Sequence, residues 1–216
     1  MPGTGLREVK KARTRWFIAE TAARLFAERG YENVAVIDVA RAAEVAEKTV
    51  YNYFPTKERL LLDRDDALQA RLVSAIRKRA AGVSPAAAIS DVAFGLVEEV
   101  ASMSGEQVRG GLGYLAAVSP AVRRLCLEMT DRHADAIAAA LIETTELADL
   151  ALAKLHAVAL VWVIQTITDE TGRRARQAEA PAQITAGLRP VIAAILADLD
   201  RWPVAGTARP VSRQPK

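Results

Sequence analysis

The sequence of 216 residues contains one cysteine, Cys126, and two histidines, His133 and His156. A single cysteine excludes a disulfide within the chain and a metal cluster built from cysteines, and it favours a reducing, cytoplasmic setting. Neither histidine has a serine or cysteine partner in a recognisable catalytic motif, and the Glu-x-x-His pairs of di-iron bundles are missing. We therefore expect no enzymatic activity, no metal site and no cofactor.

Strand-forming and membrane-spanning features are also scarce. Aromatic residues make up only 5% of the chain, whereas Ala, Leu, Arg and Glu are abundant, which favours helix over sheet. The longest apolar run, 157–164, is too short to cross a bilayer, and the charged amino terminus does not resemble a signal peptide. The composition predicts an all-α protein that is not embedded in a membrane.

Positive charge is concentrated at the amino terminus, although the formal net charge is only +3. The first 15 residues contain five Lys or Arg and a single acid, Glu8. Such a segment can contact nucleic-acid phosphates, but a solvated, disordered tail explains the same composition. We interpret residues 1–13 as a basic flexible arm and keep both roles open.

Helical periodicity begins clearly after this arm. Ile18 and Ala22 lie on one face of a helix that Thr14 can cap and that Gly30 can end. The two segments that follow are too short to be stable helices alone, so they must pack on each other and on the first helix. The helices predicted in this part are 14–29, 36–43, 47–54 and a long fourth helix over 56–81.

The rest of the chain shows only helical patterns. Ser84-Pro85 and Ser119-Pro120 each combine a helix N-cap with a first-turn proline. Further helices are predicted over 120–143, 148–170 and 181–201. The predicted organisation is a basic arm (1–13), a three-helix domain (14–58), a larger helical domain (59–202) and a disordered tail (203–216).

The second short helix carries the side chains most suited to DNA. Val50 and Phe54 are four residues apart and can both face the core, so that polar side chains occupy the remaining surface. An Asn can pair bidentately with adenine, a Thr can meet a thymine methyl group, and a helix fits the major groove. Lys57 adds positive charge in the first turn of the next helix. The polar surface consists of Lys48, Thr49, Tyr51 and Asn52.

Three stretches of this region resemble the TetR-type regulators: Leu-Phe-Ala-Glu-Arg-Gly-Tyr at 25–31, Asp-Val-Ala at 38–40 and Thr-Val-Tyr-Asn-Tyr-Phe-Pro-Thr-Lys-Glu at 49–58. The last string is highly specific, whereas the rest of the chain matches the family only in its general helical plan. The resemblance implies a helix-turn-helix at 14–58, operator DNA as partner, a homodimer, and a ligand-binding and dimerisation domain at 59–202. Matched residue by residue, the positions that face DNA are Lys48, Thr49, Tyr51, Asn52, Tyr53 and Lys57, and those that hold the core are Val39, Ala40, Val50 and Phe54.

Three positions depart from the family pattern. Glu44 stands in the turn where the family often has glycine, so we expect a positive φ and mild strain at this residue. Ala35 and Ala46 replace the usual Ser or Thr caps of the two short helices, and each missing cap costs about 0.5–2 kcal/mol. The domain is therefore expected to be less stable than its relatives or to be capped differently.

The helix that starts near residue 148 is apolar almost all round and must be buried on most sides. It can be buried within one chain or, with the last helix, in a four-helix interface between two subunits, and the two-fold symmetry of an operator favours the dimer. A mostly apolar lining suggests a small hydrophobic effector, such as a lipid-like or acyl-thioester metabolite, although each lining residue can equally belong to the core. The candidate pocket residues are Phe94, Tyr114, Met129, His133, Trp162 and Gln165.

These features together predict a ligand-responsive repressor that a small hydrophobic effector releases from its operator. Effector binding would tilt the fourth helix and change the separation of the two recognition helices, which must match half-sites about one DNA turn apart. Two alternatives stay open. One is an activator on the same scaffold, and the other is a helical ligand-binding protein that no longer binds an operator.

Overall fold

The computed structural model describes residues 3–63, 65–145 and 149–202, with side chains from Glu8 onwards, so the predicted tail at 203–216 lies outside the described residues. Within these ranges every regular element is an α-helix, which confirms the predicted all-α fold. The helices are α1 (Gly3–Arg29), α2 (Val36–Ala42), α3 (Glu47–Tyr53), α4 (Lys57–Leu61), α5 (Asp65–Lys78), α6 (Pro85–Ser102), α7 (Gly105–Gly110), α8 (Leu112–Val118), α9 (Pro120–Thr144), α10 (Leu150–Arg176) and α11 (Pro181–Asp200).

The first helix is longer than predicted. It begins at Gly3 rather than at Thr14, so the segment expected to be a flexible arm is helical from Gly3 onwards. The Thr14 hydroxyl donates a hydrogen bond to the Lys10 carbonyl oxygen inside the helix, at 3.0 Å, and does not cap its start. Lys, Arg, Glu and Ala have high helix propensity, and an existing helix is extended far more easily than a new one is started. Gly30 ends α1 with a φ of 80°, as predicted.

The predicted long fourth helix is in fact two helices, α4 and α5, separated at Leu62 and Asp63. Leu60 and Leu62 are both buried, although they would point to opposite sides of a straight helix. Asp63 pairs with Arg15 of α1 at 2.5 Å, and this contact fixes the bend against the first helix. Periodicity could not predict the break, because the partner lies far away in the sequence.

Helix starts in the second half of the chain follow their capping residues. Ser84 and Ser119 accept hydrogen bonds from backbone N–H groups three residues later, at the starts of α6 and α9. The Asp149 carboxylate caps α10 in the same way, through the Leu152 N–H at 2.9 Å. The two predicted Ser-Pro starts are therefore confirmed.

Apolar side chains form two clusters. The smaller cluster surrounds Phe26 and Phe54 and holds α1, α2 and α3 together. Leu115 of α8 and Val122 of α9 also belong to it, so the three-helix unit is continuous with the rest of the molecule. The larger cluster is formed mainly by α5, α6, α9, α10 and α11. The division predicted at residue 58 thus separates two groups of helices that share apolar contacts.

Two helices, α10 and α11, are long and apolar enough to cross a membrane by length and composition alone. Each helix is longer than the uninterrupted apolar run at 157–164, because polar residues interrupt the apolar sequence of both. Half of the most apolar window of α10 is buried inside the fold, where the helix packs against α6, α8, α9 and α11. One or two such helices are weak evidence for a membrane protein, and the position of α10 in the core explains its composition.

Candidate nucleic-acid interface

The third helix is held from inside by apolar side chains. Val39 of α2 and Val50 of α3 are fully buried, and Phe54 lies in the same cluster just after α3 ends. The burial of these residues confirms the predicted core. The four-residue spacing of Val50 and Phe54 places both on one side of α3, so the opposite side faces away from the core.

The turn between α2 and α3 contains Glu44 with a φ of 53°, which confirms the predicted positive φ. The Val45 N–H donates to the Ala40 carbonyl oxygen at 3.0 Å, and the Glu44 N–H donates to the Arg41 carbonyl oxygen at 3.2 Å. These bonds close the turn around a left-handed conformation that costs about 1–2 kcal/mol for a residue with a β-carbon. The angle between α2 and α3 is therefore fixed by the backbone itself.

The two short helices lack side-chain caps at Ala35 and Ala46, as predicted. At α2 the Asp38 carboxylate accepts a hydrogen bond from the Ala35 N–H at 2.9 Å, so this helix start is stabilised from inside its first turn. At α3 the first turn contains Glu47, whose negative charge lies near the positive end of the helix dipole. The expectation of a different capping arrangement therefore holds for α2.

The outward side of α3 is polar and accessible. Lys48 and Asn52 are exposed, and Tyr51 keeps 45% of its surface accessible. Thr49 and Tyr53 are half-buried. An ammonium group, an amide and hydroxyls on one helix side can meet both phosphate oxygens and base edges. Five of the six residues predicted to face DNA thus lie together on this helix.

The sixth residue, Lys57, makes contacts that the sequence did not predict. Its ammonium group donates to the Tyr31 carbonyl oxygen at 2.5 Å and lies 4.0 Å from the centre of the Tyr31 ring. Burial lowers the pKa of Lys57 from its ordinary value, while the nearby Glu32 and Glu58 act in the opposite direction. Lys57 therefore joins α4 to the end of α1, and its remaining N–H groups stay available for another acceptor.

Arg15 holds three parts of this unit together, and the sequence analysis did not single it out. Its guanidinium donates to Asp63 at 2.5 Å and to the Tyr53 carbonyl oxygen at 2.9 Å. The same group lies 4.6 Å from the centre of the Phe54 ring. Arg15 thus links α1, the end of α3 and the α4–α5 bend. Only the basic character of this segment was visible in the sequence, because its partners lie more than 30 residues away.

An open groove of about 530 Å³ separates the amino-terminal part of α1 from α3. We call it the α1–α3 groove. Because α1 is helical from Gly3, its basic segment forms one wall, and the polar side of α3 forms the other. The groove is lined by Glu8, Lys10, Lys11, Thr14, Thr49, Asn52 and Tyr53.

The candidate pocket residues are spread over four helices of the part of the molecule formed by α5–α11, which we call the larger region. Met129 and His133 are buried on α9, and Gln165 is buried on α10. Phe94 of α6 is half-buried, with the Arg189 guanidinium 5.7 Å from its ring centre, and Tyr114 of α8 packs against the smaller cluster. A second open groove, of about 540 Å³, runs between α9 and α10. Neither this groove nor the α1–α3 groove is lined by any candidate pocket residue.

Trp162 is not buried as the apolar pattern of α10 predicted. It keeps 40% of its surface accessible in the single chain, and Leu155, two turns earlier, is also exposed. Gln165, by contrast, is buried: it accepts a hydrogen bond from the Thr130 hydroxyl and donates one to Asp169 at 2.8 Å. The reason is that one side of α10 packs in the core, while the side that carries Leu155 and Trp162 is left exposed by the described residues.

His133 belongs to a buried polar cluster that the sequence analysis missed. Its Nε2 atom lies 2.7 Å from Oδ1 of Asp65, at the start of α5, and Arg132 donates to the other carboxylate oxygen at 2.6 Å. Burial alone would raise the pKa of Asp65, but His133 and Arg132 outweigh it and hold that pKa below its usual value. The cluster joins α9 to the first turn of α5. Asp65 gave no signal in the sequence, since an acid in a first helical turn is normally exposed.

A three-helix unit that presents the polar side of its third helix is the architecture of helix-turn-helix DNA-binding proteins. Residues 18–63 match a family model described as bacterial regulatory proteins, tetR family. The matched segment includes α2, α3, α4 and the last part of α1, from Ile18 onwards. Over this segment the chain is similar to the TetR family of bacterial regulatory proteins.

Two curated proteins resemble this chain over part of their length. The HTH-type transcriptional regulator TcmR of Streptomyces glaucescens is 34% identical over 110 residues, which cover 51% of this chain and 49% of TcmR. The uncharacterized HTH-type transcriptional regulator YuxN of Bacillus subtilis (strain 168) is 44% identical over 45 residues, which cover 21% of this chain and 16% of YuxN. The chain thus matches half or less of the length of these relatives.

Solved structures share the overall fold. The fatty acid degradation regulator FadR from Bacillus halodurans has a TM-score of 0.53 at 20% identity, over 85% of this chain and 94% of that one. A transcriptional regulator of the TerR/AcrR family from Aquifex aeolicus VF5 has a TM-score of 0.50 at 17% identity, over 84% of this chain and 99% of that one. Identities at this level show a common fold and nothing more specific.

Proposed function

We propose that this protein is a homodimeric transcriptional repressor that binds double-stranded operator DNA and is released by a small hydrophobic effector. The observation that carries the proposal is the placement of α3, whose apolar side is locked into the smaller cluster while its polar side is accessible. The protein acts by binding rather than by catalysis, and it acts in the cytoplasm. The residues that we assign to the DNA interface are Lys48, Thr49, Tyr51, Asn52, Tyr53 and Lys57.

Different chemistry suits these residues to different parts of the DNA. Asn52 and Thr49 lie on the part of α3 farthest from Phe54 and can reach base edges in the major groove. Lys48 and Tyr51 are exposed beside them and suit phosphate oxygens, which fix orientation without reading sequence. The bases are therefore read by an amide and a hydroxyl, and the flanking charges position the helix.

Exposed apolar side chains on α10 and α11 support the proposed homodimer. Leu155 and Trp162 of α10 and Val191 of α11 are large apolar side chains that remain exposed in the single chain. Because α10 packs against α11, these side chains can meet the same pair of helices in a second subunit. A two-fold axis through such an interface presents two recognition helices to half-sites about 34 Å apart.

The effector site is proposed inside the larger region. Phe94, Tyr114 and Met129 offer apolar surface, and His133 and Gln165 offer polar groups near it. This mixture suits a ligand with a long apolar part and one polar end. Trp162 joins the lining where the second subunit covers it.

DNA binding by the purified protein tests the first part of the proposal. We expect the dimer to bind a duplex that covers the DNA flanking its own gene, measured by fluorescence anisotropy at low salt. Asn52→Ala should cost about 1–3 kcal/mol per half-site and relax the sequence preference, because it removes one bidentate base contact from each subunit. Lys48→Ala should weaken binding to every sequence, whereas Lys78→Ala, an equally exposed lysine on α5, should not.

A folded dimer that binds no DNA at low salt would instead support a ligand-binding protein without an operator. Transcription in vitro from a bound promoter distinguishes repression from activation, since only an activator increases the transcript. For the effector, we would add dodecanoyl-coenzyme A to the preformed DNA complex. Release of the DNA supports the proposed effector class, and unchanged anisotropy at saturating ligand contradicts it.

A further inference from the structure

The core-facing side of α1 changes character along its length. Ile18 and Ala22 are buried on this side. One and two turns earlier, the helical repeat places Arg15 and Lys11 on the same side, with Lys10 and Thr14 beside them. The helix therefore continues past the apolar core and presents a polar, basic side toward α3.

This basic side is held in a fixed position relative to α3. Arg15 donates a hydrogen bond to the Tyr53 carbonyl oxygen and lies over the Phe54 ring. These contacts fix the position of α1 relative to α3 at the inner end of the α1–α3 groove. From that point, Lys10 and Lys11 are about one turn away on a continuous helix. Both lysines are consequently presented by a rigid element.

The charge of the groove favours an anion. Lys10 and Lys11 are exposed, and within the described part of the chain neither ammonium group has a carboxylate oxygen within 4.0 Å. The opposite wall supplies the Thr49 hydroxyl and the Asn52 amide, which are neutral hydrogen-bonding groups. Glu8 is the only acid among the residues that line the groove.

We propose that the α1–α3 groove binds the sugar-phosphate backbone of the DNA duplex. Lys10 and Lys11 contact phosphates next to the bases that α3 reads. This inference rests on the proposed DNA-binding function and adds a second helix to the interface. A backbone strand carries a negative charge at every nucleotide, which matches an open, polar and basic groove. The contact is independent of DNA sequence, so it strengthens binding to every duplex and lengthens the stretch of DNA that the protein covers.

The salt dependence of binding tests this contact directly. The dimer is titrated with a random-sequence duplex of about 30 base pairs at several NaCl concentrations, because each lost phosphate contact lowers the slope of log K against log salt by about 0.9. We expect Lys10→Ala/Lys11→Ala to remove four contacts from the dimer, two per subunit, and so to lower the slope by about 3.6 and to weaken binding about 4,000-fold at 0.1 M salt. Alanine retains helix propensity, and circular dichroism verifies that α1 is intact.

Two matched variants control for charge and position. Lys78→Ala removes one positive charge from an exposed position on α5 that does not line the groove, and it should leave the slope nearly unchanged. Lys10→Arg/Lys11→Arg keeps both charges and should keep the wild-type slope.

The outcomes separate this inference from the function beneath it. If the wild-type protein binds with steep salt dependence but the double alanine variant has the same slope and affinity, the groove does not contact DNA. If Lys78→Ala lowers the slope as much as Lys10→Ala or Lys11→Ala does, the effect is general charge and the inference is overturned. If the folded wild-type dimer does not bind DNA at all, the proposed function itself fails.

Discussion

The two regions of the molecule hold their helices together in different ways. Around α3, bulky side chains such as Phe26 and Phe54 fill the space between short helices. In the larger region, glycines let backbones touch: a β-carbon on Gly172 would overlap the Gly113 carbonyl oxygen, where α10 crosses α8. Side chains in a core can change rotamer when a neighbour shrinks, but two backbones in contact cannot separate without moving whole helices. We therefore expect the region around α3 to be most sensitive to the loss of a large side chain, and the larger region to be most sensitive to the addition of a methyl group.

The two regions meet through a close backbone contact and through a side-chain hydrogen bond. Gly110 of α7 lies against the backbone of Ala23 in α1, and a β-carbon there would clash with the Ala23 carbonyl oxygen. Nearby, Ser119 donates a hydrogen bond to Glu32, and this bond holds the pKa of Glu32 below its ordinary value. The three-helix unit of α1, α2 and α3, which we call the recognition unit, is therefore packed directly against the larger region.

Removing a large side chain should affect the recognition unit most. Phe54→Ala deletes a fully buried ring and should lower the free energy of unfolding by about 3–5 kcal/mol, measured by urea denaturation. Phe17→Ala, on the exposed outer side of α1, provides the control and should change stability little. Equal losses in the two variants would show that the smaller cluster does not depend on Phe54.

Adding one methyl group should damage the larger region instead. Gly172→Ala forces the α8–α10 crossing apart and should destabilise the protein by about 3 kcal/mol in the same assay. In Gly95→Ala the new β-carbon would meet only the end of the Arg71 side chain, at 3.4 Å. Because alanine is a better helix former, this control should be neutral or stabilising by up to about 1 kcal/mol. A neutral Gly172→Ala would remove the contrast between the two regions.

The buried carboxylate of Asp65 should make the stability contributed by the larger region depend on pH. Asp65→Asn leaves His133 and Arg132 without their acid and should cost about 1–3 kcal/mol near neutral pH. The pKa of Asp65 is lower in the folded protein than in the unfolded chain, so its ionised form stabilises the fold above about pH 4. This contribution is lost as the pH falls through the lowered pKa, and the difference between wild type and variant should narrow there.

Unfolding curves collected from neutral to acidic pH check this prediction. Asp66→Asn, at the next position, serves as the control because the Asp66 carboxylate is mostly exposed and pairs with Arg59 at the surface. An exposed pair of this kind contributes about 0–1 kcal/mol. A difference between wild type and Asp65→Asn that stays constant with pH would argue against an ionised Asp65 in the fold.

The smallest effects concern the two turns with strained backbones. Glu44, before α3, and Ala178, before α11, both have a positive φ, of 53° and 62°. Glycine at either position should stabilise the fold by about 0.5–1 kcal/mol, because the relief of strain exceeds the extra entropy of the unfolded chain. Glu44→Gly should also tighten DNA binding by removing a carboxylate near the phosphates, and Ala178→Gly should not. Identical DNA affinities would place Glu44 away from the DNA.

The recognition unit was largely predictable because its decisive contacts are local. Val50 and Phe54 share one face through their spacing, so their burial and the exposure of Lys48, Tyr51 and Asn52 follow from the helical repeat. The strained turn at Glu44 was predictable from the resemblance, since the family often has glycine at this position. The contacts of Lys57 with Tyr31 were not, since they join residues that are 26 positions apart.

In the larger region, local signals predicted where helices start and little else. Ser84 and Ser119 cap their helices as expected, because a cap involves residues only three positions apart. The exposure of Trp162 and the pairing of Asp65 with His133 depend on which helices become neighbours. An apolar pattern cannot distinguish a side chain that is buried within its own chain from one that a second subunit would cover.

The sequence by itself determined the all-α fold, the core of the helix-turn-helix and the residues on the outward side of α3. These features arise from helix propensity and from spacings within a single helix, which operate over a few residues. Only the tertiary structure decided that the basic amino terminus continues α1 and faces α3, that the fourth helix breaks at Leu62, and that Arg15 ties these parts together. Such features depend on residues that are distant in the sequence and that folding brings close together. The hydrophobic pattern within a single helix therefore cannot predict these contacts.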